Sequence, residues 1–466
     1  MSDIFKAYDV RGIYPNEINR EVAFKLGNAV AQYFNAKFVV IGEDGRSSSP
    51  ELSKAVADGV NSFGSDVVYL GKTTTPVFYF ASRKLNSDAG IMITSSHNPL
   101  DYNGFKITEN GGIPIGGGAG MDGVKRLFER EPAISSIKGQ FLKNFSFKGE
   151  YLERVIHLSG LRPGKITKKI VVDFGNGVSL TTGEPILKRL KINYSSIFCN
   201  ENDLNICDPN PSTVSSLDKV MRKVIEEKAD LGIAFDGDVD RLIVINERGE
   251  IVPPQYILGL LWIGDWKFFF KPGVVYDARF SKALKELFGT RGIKSKVGHT
   301  NIVDSMIISG AKMGGEISGH YYFKDIGYTE CPELAFLKLI KILEKTGKPL
   351  SKLIEPMKKY YYSGEITIEN QNSLLRQGYG GQANLKSLSF VETTEGKQIF
   401  QKLKGKYNDG KIDEFDGLTV NYTDWWFNVR FSNTEPAVRM VVEAKSQELM
   451  KQKIEEIKSI IMNGSP

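Results

Sequence analysis

Residues 93–106 read ITSSHNPLDYNGFK, and this polar stretch follows the apolar run AGIMI at residues 89–93. A short uninterrupted apolar run is typical of a buried strand, and the Asn-Pro and Tyr-Asn-Gly sequences predict turns after it. Open α/β sheets bind their ligands at the carboxyl ends of strands. The stretch therefore predicts an α/β domain whose candidate nucleophile is Ser96, next to His97 and ten positions before Lys106. A plain Asn-Pro turn capped by serines is the alternative.

Three segments of the chain share one order of elements: strand, loop, helix, strand, loop, helix, strand, loop. The first starts at residues 38–50 (FVVIGEDGRSSSP) and ends in the serine loop, the second starts at residues 170–179 (IVVDFGNGVS), and the third starts at residues 274–284 (VVYDARFSKAL). Continuous β-branched runs that alternate with helices favour mainly parallel sheets covered by helices. Three such units side by side would direct three loops into a common cleft.

The chain after Lys358 has a different pattern, in which short strand-like segments precede a helix from about Gln447 with Ser446 as its N-cap. This pattern predicts an α+β domain with an antiparallel sheet. The predicted fold class is therefore α/β, with three related α/β domains of mainly parallel sheets and a C-terminal α+β domain around a central cleft. The predicted domains are residues 1–147, 148–248, 249–360 and 361–466. Residues 376–382, which are rich in glycine and glutamine, are interpreted as a surface insertion.

The composition is that of a globular protein, since 466 residues with 41% hydrophobic and 25% charged side chains suit three or four domains. The most apolar window, residues 256–270, is interrupted by glycines and charges and is too short to span a bilayer. The net charge of +6 is spread along the chain, so no nucleic-acid-binding arm is expected. Cys199, Cys207 and Cys331 lack metal-ligand spacing, and we expect free thiols in a reducing cytoplasm.

Asp236, Asp238 and Asp240 alternate in the segment FDGDVDRL after the apolar run LGIA. On a strand the three carboxylates would share a face and repel one another, but in a loop they can surround a hard cation such as Mg²⁺, which prefers oxygen ligands. A calcium EF-hand is excluded because its sixth position requires glycine and is Arg241 here. A solvated acidic turn is the alternative, although surface turns rarely follow so apolar a strand.

Cations and groups that bind hydroxyls are predicted on other loops that would reach the same cleft. Three carboxylates outweigh the charge of one Mg²⁺, and Arg11, Lys106 and Arg241 could restore the balance. A glutamate and a serine with one residue between them can offer an acceptor and a donor to neighbouring hydroxyls of a sugar. An arginine followed by hydroxyl and amide donors can bind a phosphate. The residues concerned are Tyr8 in KAYDVRG, Gly298 and His299 in KVGHTNI, Glu316, Ser318 and His320 in GGEISGH, and Arg430, Ser432, Asn433 and Thr434 in RFSNTEP. An exposed terminal arm and a plain Ser-Asn-Thr turn are the alternatives for the first and the last of these motifs.

Three common catalytic motifs are not found in the sequence. The segment GKTTTP is not a phosphate-binding P-loop, because Asp66 stands five positions before Gly71 where the motif requires glycine. The sequence contains no HExxH, and no GxSxG surrounds Ser96.

Taken together, five motifs resemble those of the α-D-phosphohexomutase family, and within it those of the phosphomannomutase/phosphoglucomutase branch. The motifs are KAYDVRG, ITSSHNPLDYNGFK, FDGDVDRL, GEISGH and RFSNTEP, in the family's order and approximate spacing, and they cover nearly the whole chain. The resemblance implies four domains. The first carries a phosphoserine loop, the second a metal-binding loop and the third a sugar-binding loop, and the fourth closes on the substrate phosphate.

The resemblance also implies a role for individual residues. It implies a phosphoserine at Ser96 and general acid/base roles for Lys106 and His320, and we expect neighbouring cations to lower the pKa of Lys106 so that it can accept a proton. Arg11 and Arg241 match active-site cations. One Mg²⁺ per chain would be held by the phosphate on Ser96 and by Asp236, Asp238 and Asp240. The implied substrate contacts are Tyr8, Arg279, Gly298, His299, Glu316 and Ser318, with Arg430, Ser432, Asn433 and Thr434 on the phosphate that is not transferred.

The implied reaction interconverts hexose 1-phosphate and hexose 6-phosphate (mannose and/or glucose) through a phosphoserine enzyme. Hexose 1,6-bisphosphate would be its intermediate and activator. The expected partners are small hexose phosphates, with no nucleic acid and no membrane, and the chain is expected to be a monomer or weak homodimer. Phosphoglucosamine mutase, which usually has a polar residue at the position of Ile317, and a catalytically silent sugar-phosphate binding protein are the alternatives. The chain departs from the family at Ser95, Val239 and Phe431, where Ala, Gly and Pro are common.

Overall fold

The computed structural model describes residues 4–118, 120–143, 145–175, 178–197, 210–211, 214–264, 271–369, 394–432 and 437–462. The predictions for Cys199, Cys207, Asn433, Thr434 and residues 376–382 lie outside these ranges. Within them, no helix combines the length and the apolar character that crossing a membrane requires.

The first unit is a sheet with helices on its faces, and it contains the predicted strand before the serine loop. Its elements are β1 (Val10–Ile13), α1 (Arg20–Tyr33), β2 (Phe38–Glu43), α2 (Ser49–Phe63), β3 (Asp66–Lys72), α3 (Thr75–Leu85), β4 (Ala89–Ile93), β5 (Tyr102–Glu109), β6 (Ile113–Pro114), α4 (Met121–Phe128) and β7 (Phe141–Leu142). All five residues of β4 are buried, as its uninterrupted apolar sequence predicts. Asn19 caps α1 through its side chain, which accepts a hydrogen bond from the Val22 amide.

The second and third units repeat this construction. The second contains α5 (Lys148–Ser159), β8 (Lys169–Asp173), α6 (Gly183–Leu190), β9 (Asn193–Ser196), α7 (Val214–Glu226), β10 (Leu231–Phe235), β11 (Leu242–Asn246) and β12 (Ile251–Val252). The third contains α8 (Pro254–Gly264), β13 (Val274–Asp277), α9 (Lys282–Phe288), β14 (Gly292–Ser295), α10 (His299–Ser309), β15 (Met313–Gly315), β16 (Tyr321–Phe323), β17 (Thr329–Glu330), α11 (Pro332–Thr346) and α12 (Leu350–Ile354).

The three units share one strand order, which confirms the predicted repeat. In each sheet three parallel strands lie in the order third, first, second, namely β4-β2-β3, β10-β8-β9 and β15-β13-β14. The third strand then pairs with an antiparallel strand that follows it in the chain: β5, β11 or β16. The sheets are therefore mixed, and the loop that joins the third strand to its antiparallel neighbour occupies the same place in each unit.

The fourth unit is an antiparallel sheet with helices, as predicted. Its elements are β18 (Tyr361–Tyr362), β19 (Ile366–Glu369), α13 (Thr394–Lys406), β20 (Lys411–Asp413), β21 (Leu418–Asn421), β22 (Trp425–Phe431), β23 (Ala437–Ala444) and α14 (Gln447–Met462). The central strand β23 pairs with β18, β19 and β22, all antiparallel. The predicted cap of α14 is present, because the Ser446 hydroxyl accepts a hydrogen bond from the Leu449 amide at 3.2 Å.

The hydrophobic cores show which units are packed as one body. One cluster of buried side chains runs from the second unit into the third, through residues such as Tyr151, Ile233, Leu261 and Phe336. The first and the fourth units have large clusters of their own. The second and third units therefore share one apolar core, and Val77 of α3 in the first unit is also part of it.

Candidate active site

The three equivalent loops of the α/β units and one edge of the fourth unit surround a cleft of about 170 Å³. The cleft exists because all three loops leave the carboxyl end of a third strand, which is where open α/β sheets place ligands. Of the residues predicted for the site and described by the structure, all except Asp236 and Asp238 line the cleft. These lining residues are Tyr8, Arg11, Ser96, Lys106, Asp240, Arg241, Arg279, Gly298, His299, Glu316, Ser318, His320, Arg430 and Ser432.

Ser96 lies directly against the acidic loop of the second unit. Its hydroxyl donates a hydrogen bond of 2.8 Å to Asp236 Oδ2, although the two residues are 140 positions apart in sequence. The hydroxyl is also 3.2 Å from Nδ1 of His97. Ser96 has a φ of +48° and is buried, so the loop presents this one hydroxyl in a left-handed backbone conformation that is uncommon for residues other than glycine.

The serine loop is fixed by Arg46, a buried residue after β2 that the sequence reasoning did not single out. One guanidinium nitrogen donates to the carbonyl oxygens of Ser96 and Asn98, at 2.9 and 2.6 Å, and the other donates to those of Pro99 and Tyr102. Four carbonyl groups of the loop are thereby held by one rigid donor fork. These hydrogen bonds from Arg46 fix the backbone of the serine loop and thereby the position of the Ser96 hydroxyl.

The acidic loop curls around its own first aspartate. Asp236 Oδ1 accepts hydrogen bonds from the amides of Asp240 and Arg241, at 3.0 and 3.1 Å. Val239, at the position where the family commonly has Gly, has a φ of +64°, which is the backbone region that glycine adopts without strain. The curl brings three carboxylates together, as the sequence predicted for a loop rather than a strand.

The three carboxylates fit a divalent cation. One oxygen from each of Asp236, Asp238 and Asp240 lies within 4.8 Å of the others. Among the described residues, Oδ1 of Asp238 and Oδ1 of Asp240 are buried without a hydrogen-bond partner, which is costly unless a cation completes the site. Burial, and then the neighbouring charges of Asp240 and Asp238, raise the pKa of Asp236 well above its usual value. An all-oxygen donor set of this charge suits Mg²⁺.

Lys106 reaches the acidic loop from β5, and its protonation differs from the prediction. Its ammonium group donates to Asp238 Oδ2 at 2.6 Å and forms a second ion pair with Asp240. Burial alone would lower the pKa of Lys106, but the charges of these two carboxylates raise it well above its usual value. The expected lowering by neighbouring cations is therefore wrong for this arrangement, because the charged groups nearest to Lys106 are anions.

Arg11 and Arg241 lie at the same end of the cleft. Arg11 belongs to β1, which pairs with β5, so residues 10–13 form an edge strand of the first sheet rather than an exposed terminal arm. Its side chain forms an ion pair with Asp9 and donates to Asn98 Oδ1 at 2.7 Å. Arg241 Nε lies 3.7 Å from Asp236 Oδ2. Both guanidinium groups are held beside the serine and acidic loops.

The loop of the third unit carries Glu316, Ser318 and His320. Glu316 accepts hydrogen bonds from the Gly298 amide at 2.8 Å and from the Tyr322 hydroxyl at 2.7 Å. The Ser318 hydroxyl is 2.8 Å from Nδ1 of His320. The Nε2 atom of His320 is 3.3 Å from Oδ1 of Asp240, so the imidazole joins the sugar-binding candidates to the acidic loop.

Tyr8 joins the first unit to the third beside Gly298. Its hydroxyl donates to the Val297 carbonyl oxygen at 2.6 Å. Gly298 has a φ of +119°, and a Cβ atom there would lie 2.3 Å from the Tyr8 ring, so this close approach requires glycine. His299 begins α10, and burial lowers its pKa to about 3, which keeps the imidazole neutral.

At the other end of the cleft, arginines from two units meet one carboxylate. Arg279 and Arg430, both predicted, form ion pairs with Glu365, and Arg439 forms a third. Ser432 follows β22 and donates its amide to the Ala437 carbonyl oxygen at 2.8 Å. Asn433 and Thr434, the remaining predicted residues of this motif, lie outside the described ranges.

The sequence reasoning missed four residues that hold the site together. Arg46 follows a strand in GEDGR, and a charged residue in a strand-end loop is a signal that could have identified it. Thr75 stands in GKTTTP, which was considered only as a P-loop, yet its hydroxyl donates to Asp238 Oδ2 at 2.6 Å. Glu365 and Arg439 belong to segments that read as ordinary strands, and no local pattern distinguishes them.

Comparison with known proteins identifies the family of the chain. Four family models match consecutive parts of the chain: phosphoglucomutase/phosphomannomutase alpha/beta/alpha domains I, II and III at residues 2–133, 149–249 and 260–360, and the C-terminal domain at residues 391–460. A phosphomannomutase of Methanocaldococcus jannaschii is 34% identical over 467 residues, covering 98% of this chain and 97% of the relative. A phosphomannomutase of Salmonella montevideo is 33% identical over 475 residues, covering 98% of each.

A solved structure shares the arrangement of the whole chain. The phosphoglucomutase/phosphomannomutase family protein of Burkholderia thailandensis has a TM-score of 0.83 and 28% identity, and the match covers 100% of this chain and 98% of that one. The chain belongs to the α-D-phosphohexomutase family, in its phosphomannomutase/phosphoglucomutase branch. It is therefore a mutase, an intramolecular phosphotransferase.

Proposed function

We propose that this mutase interconverts hexose 1-phosphate and hexose 6-phosphate, of mannose and/or glucose, through a phosphoserine at Ser96. The observation that carries the proposal is the 2.8 Å hydrogen bond from the Ser96 hydroxyl to Asp236, which joins the serine loop to the acidic loop inside the cleft. The phosphoryl group would pass to the free hydroxyl of the sugar phosphate. The resulting hexose 1,6-bisphosphate, also the activator, would turn and return its other phosphoryl group to Ser96.

The acidic loop would hold one Mg²⁺ per chain. Asp236, Asp238 and Asp240 would hold the ion together with the phosphate on Ser96, and the ion would neutralise charge on the phosphoryl group. Arg11 and Arg241 flank the same loops and would add positive charge on either side of the phosphoryl group. Phosphoryl transfer depends on positioning and charge neutralisation more than on covalent assistance, so these side chains would supply much of the rate.

Each transfer also moves a proton, and two side chains of the cleft suit that task. When the sugar oxygen forms its bond to phosphorus and the bond to Ser96 Oγ breaks, the sugar hydroxyl loses a proton and Oγ gains one. Lys106, whose pKa the carboxylates raise, suits the donor at Oγ. His320, whose imidazole lines the cleft beside Ser318 and Asp240, suits the acceptor from the sugar hydroxyl.

The sugar would be bound by its hydroxyls at carbons 3 and 4, which Glu316 and Ser318 can contact in either orientation of the substrate. Glucose and mannose agree at these carbons and differ at carbon 2, so we propose that both are accepted. Turnover of glucosamine 6-phosphate beside mannose 6-phosphate tests the neighbouring possibility of a phosphoglucosamine mutase. A larger kcat/KM for the amino sugar would replace the proposed substrates.

The test of the phosphoserine uses Ser96→Ala with Ser95→Ala as its matched control. Both hydroxyls are buried in the same loop, but the Ser95 hydroxyl has no hydrogen-bond partner among the described residues. We expect intact-mass analysis to find one phosphate on the wild type and on Ser95→Ala, and none on Ser96→Ala. Turnover of glucose 1-phosphate should fall by about a thousandfold or more in Ser96→Ala, since a covalent step is lost. Full activity of Ser96→Ala would refute the proposal. A wild-type protein that binds sugar phosphate without converting it would refute it as well.

A further inference from the structure

Glu365 lies at the end of the cleft opposite the acidic loop, and it is surrounded by arginines. Its Oε2 accepts from Arg430 Nη2 at 3.1 Å and forms an ion pair with Arg279, and its Oε1 accepts from Arg439 Nη1 at 2.6 Å. Arg279 follows β13 in the third unit, whereas Arg430 and Arg439 belong to β22 and β23 of the fourth. One carboxylate therefore joins the positive groups of two units.

Arg279, one of the three arginines beside Glu365, also faces other carboxylates. It donates to both oxygens of Asp277, at 2.9 and 2.8 Å, and turns its remaining nitrogen to Glu365. Its Nη2 atom also lies 3.9 Å from Oε1 of Glu316. Burial would raise the pKa of Glu365, but the charges of the three arginines hold it well below its usual value, so the carboxylate is ionised at neutral pH.

We infer that Glu365 is the internal counter-ion of the phosphate subsite and determines which anions that subsite admits. The inference rests on the proposed function, in which Arg430 holds the phosphate that is not transferred. A carboxylate and a phosphate offer guanidinium forks the same kind of acceptor. A bound phosphate carries a charge of about −1.5 to −2 at neutral pH, so it gains more from the arginines than the single charge of Glu365 does. A singly charged anion has no such advantage and is excluded.

The role of Glu365 differs from that of a structural tie between the third and fourth units. Other contacts already join them: the Lys282 amide donates to Glu443 at 2.8 Å, the Val297 amide donates to Asp416 at 2.8 Å, and the Tyr362 hydroxyl donates to the Arg279 carbonyl oxygen at 3.0 Å. These bonds hold the two units together without Glu365. The carboxylate of Glu365 instead pairs with the guanidinium groups that a bound anion would need.

The test compares Glu365→Gln with Glu414→Gln. Gln keeps the shape of the side chain and removes its charge, and Glu414 is an exposed glutamate of the same unit that pairs with Lys404. Calorimetric titration of the full chain with inorganic phosphate at pH 8, and separately with nitrate, measures the two affinities. We expect Glu365→Gln to bind inorganic phosphate about tenfold more tightly, as removal of one adjacent like charge implies, and to show nitrate binding that the wild type lacks. Glu414→Gln should match the wild type.

Two results would overturn the inference. If Glu365→Gln binds inorganic phosphate equally or more weakly than the wild type, while its circular dichroism and melting temperature are unchanged, the glutamate positions the arginines and does not compete with the anion. If the gain persists in the double variant Glu365→Gln, Arg430→Ala, the effect arises elsewhere in the chain. Binding of inorganic phosphate requires no turnover. The measurement can therefore be made even if the proposed reaction is wrong, and the two failures can be told apart.

Discussion

The two ends of the cleft present groups of opposite charge to a ligand. At the serine end, Asp236, Asp238 and Asp240 face Lys106 and Arg241, and two of their oxygens have no hydrogen-bond partner within the described residues. At the arginine end, three guanidinium groups surround Glu365, and one of them, Arg279, also faces Asp277 and Glu316. The carboxylates of the serine end suit a bound cation, and the guanidinium groups of the arginine end suit a bound anion. A phosphorylated sugar with one phosphate at each end matches both.

Both ends also lie where two units of the fold meet. The serine end joins the first unit to the second through the bonds of Ser96, Thr75 and Lys106 to the acidic loop. The arginine end combines Arg279 of the third unit with Arg430 and Arg439 of the fourth. Each end of the cleft is therefore built from two units, and a change in how those units pack changes the geometry of that end directly.

The largest expected effect is at the serine end. Asp236→Asn removes the charge of the aspartate that also accepts the Ser96 hydroxyl, and we expect kcat to fall by about a thousandfold or more, because metal-assisted neutralisation is worth several kcal/mol. Mg²⁺ binding, measured by calorimetry, should weaken in parallel. Asp218→Asn, on the exposed side of α7 where Asp218 pairs with Arg222, is the control and should retain both. Normal Mg²⁺ binding in Asp236→Asn would remove the acidic loop from the proposed metal site.

A smaller effect of a different kind is expected at the arginine end. Arg430→Ala should raise KM for hexose phosphate by about thirtyfold or more, since truncating one partner of a buried charged pair costs about 2–5 kcal/mol. Turnover at saturation should change much less, because the arginine contacts the phosphate that is not transferred. Arg222→Ala, exposed on α7, is the matched control. A loss confined to kcat would contradict the division of roles between the two ends.

A third prediction concerns the support of the acidic loop. Thr75 is buried at the first position of α3, its amide donates to the Asp238 carbonyl oxygen, and its hydroxyl donates to Asp238 Oδ2. We expect Thr75→Val to weaken Mg²⁺ binding about tenfold, which is a typical cost of losing a partner that orients a metal ligand. Thr75→Ser, which keeps the hydroxyl, should bind Mg²⁺ as the wild type does. Equal affinities in the two variants would show that the hydroxyl does not orient Asp238.

The comparison of the two ends also shows what the sequence could reveal. Ser96 and the three aspartates follow apolar strands directly, so local patterning identified them, and the repeat of strands and helices identified the α/β units. Thr75 lies 163 positions from Asp238, and Glu365 lies 86 positions from Arg279. Such contacts depend on how separate units pack, and no local pattern encodes them.

The prediction for Lys106 was wrong for a related reason. Its pKa was expected to fall because Lys106 was placed beside the Mg²⁺ ion and the arginines of the cleft. The structure instead places its ammonium group between two carboxylates of the acidic loop. The sign of a pKa shift depends on which charges are nearest. The sequence shows which charged residues are present in the cleft, but not how far apart they lie.

The smallest expected effect concerns backbone strain at the serine end. Val239 is buried and has a φ of +64°, a conformation that costs residues with a side chain roughly 1–2 kcal/mol more than it costs glycine. Both Val239→Gly and Val239→Ala lose the packing of the valine, but only glycine also removes the strain. We therefore expect the melting temperature of Val239→Gly to lie above that of Val239→Ala, the reverse of the usual order, in which glycine is about 0.5–1 kcal/mol worse than alanine within regular elements. The same two substitutions at Val244, in the regular strand β11, are the control and should give the usual order, with the alanine variant melting above the glycine variant. If Val239 also gives this order, the curl of the acidic loop stores no strain.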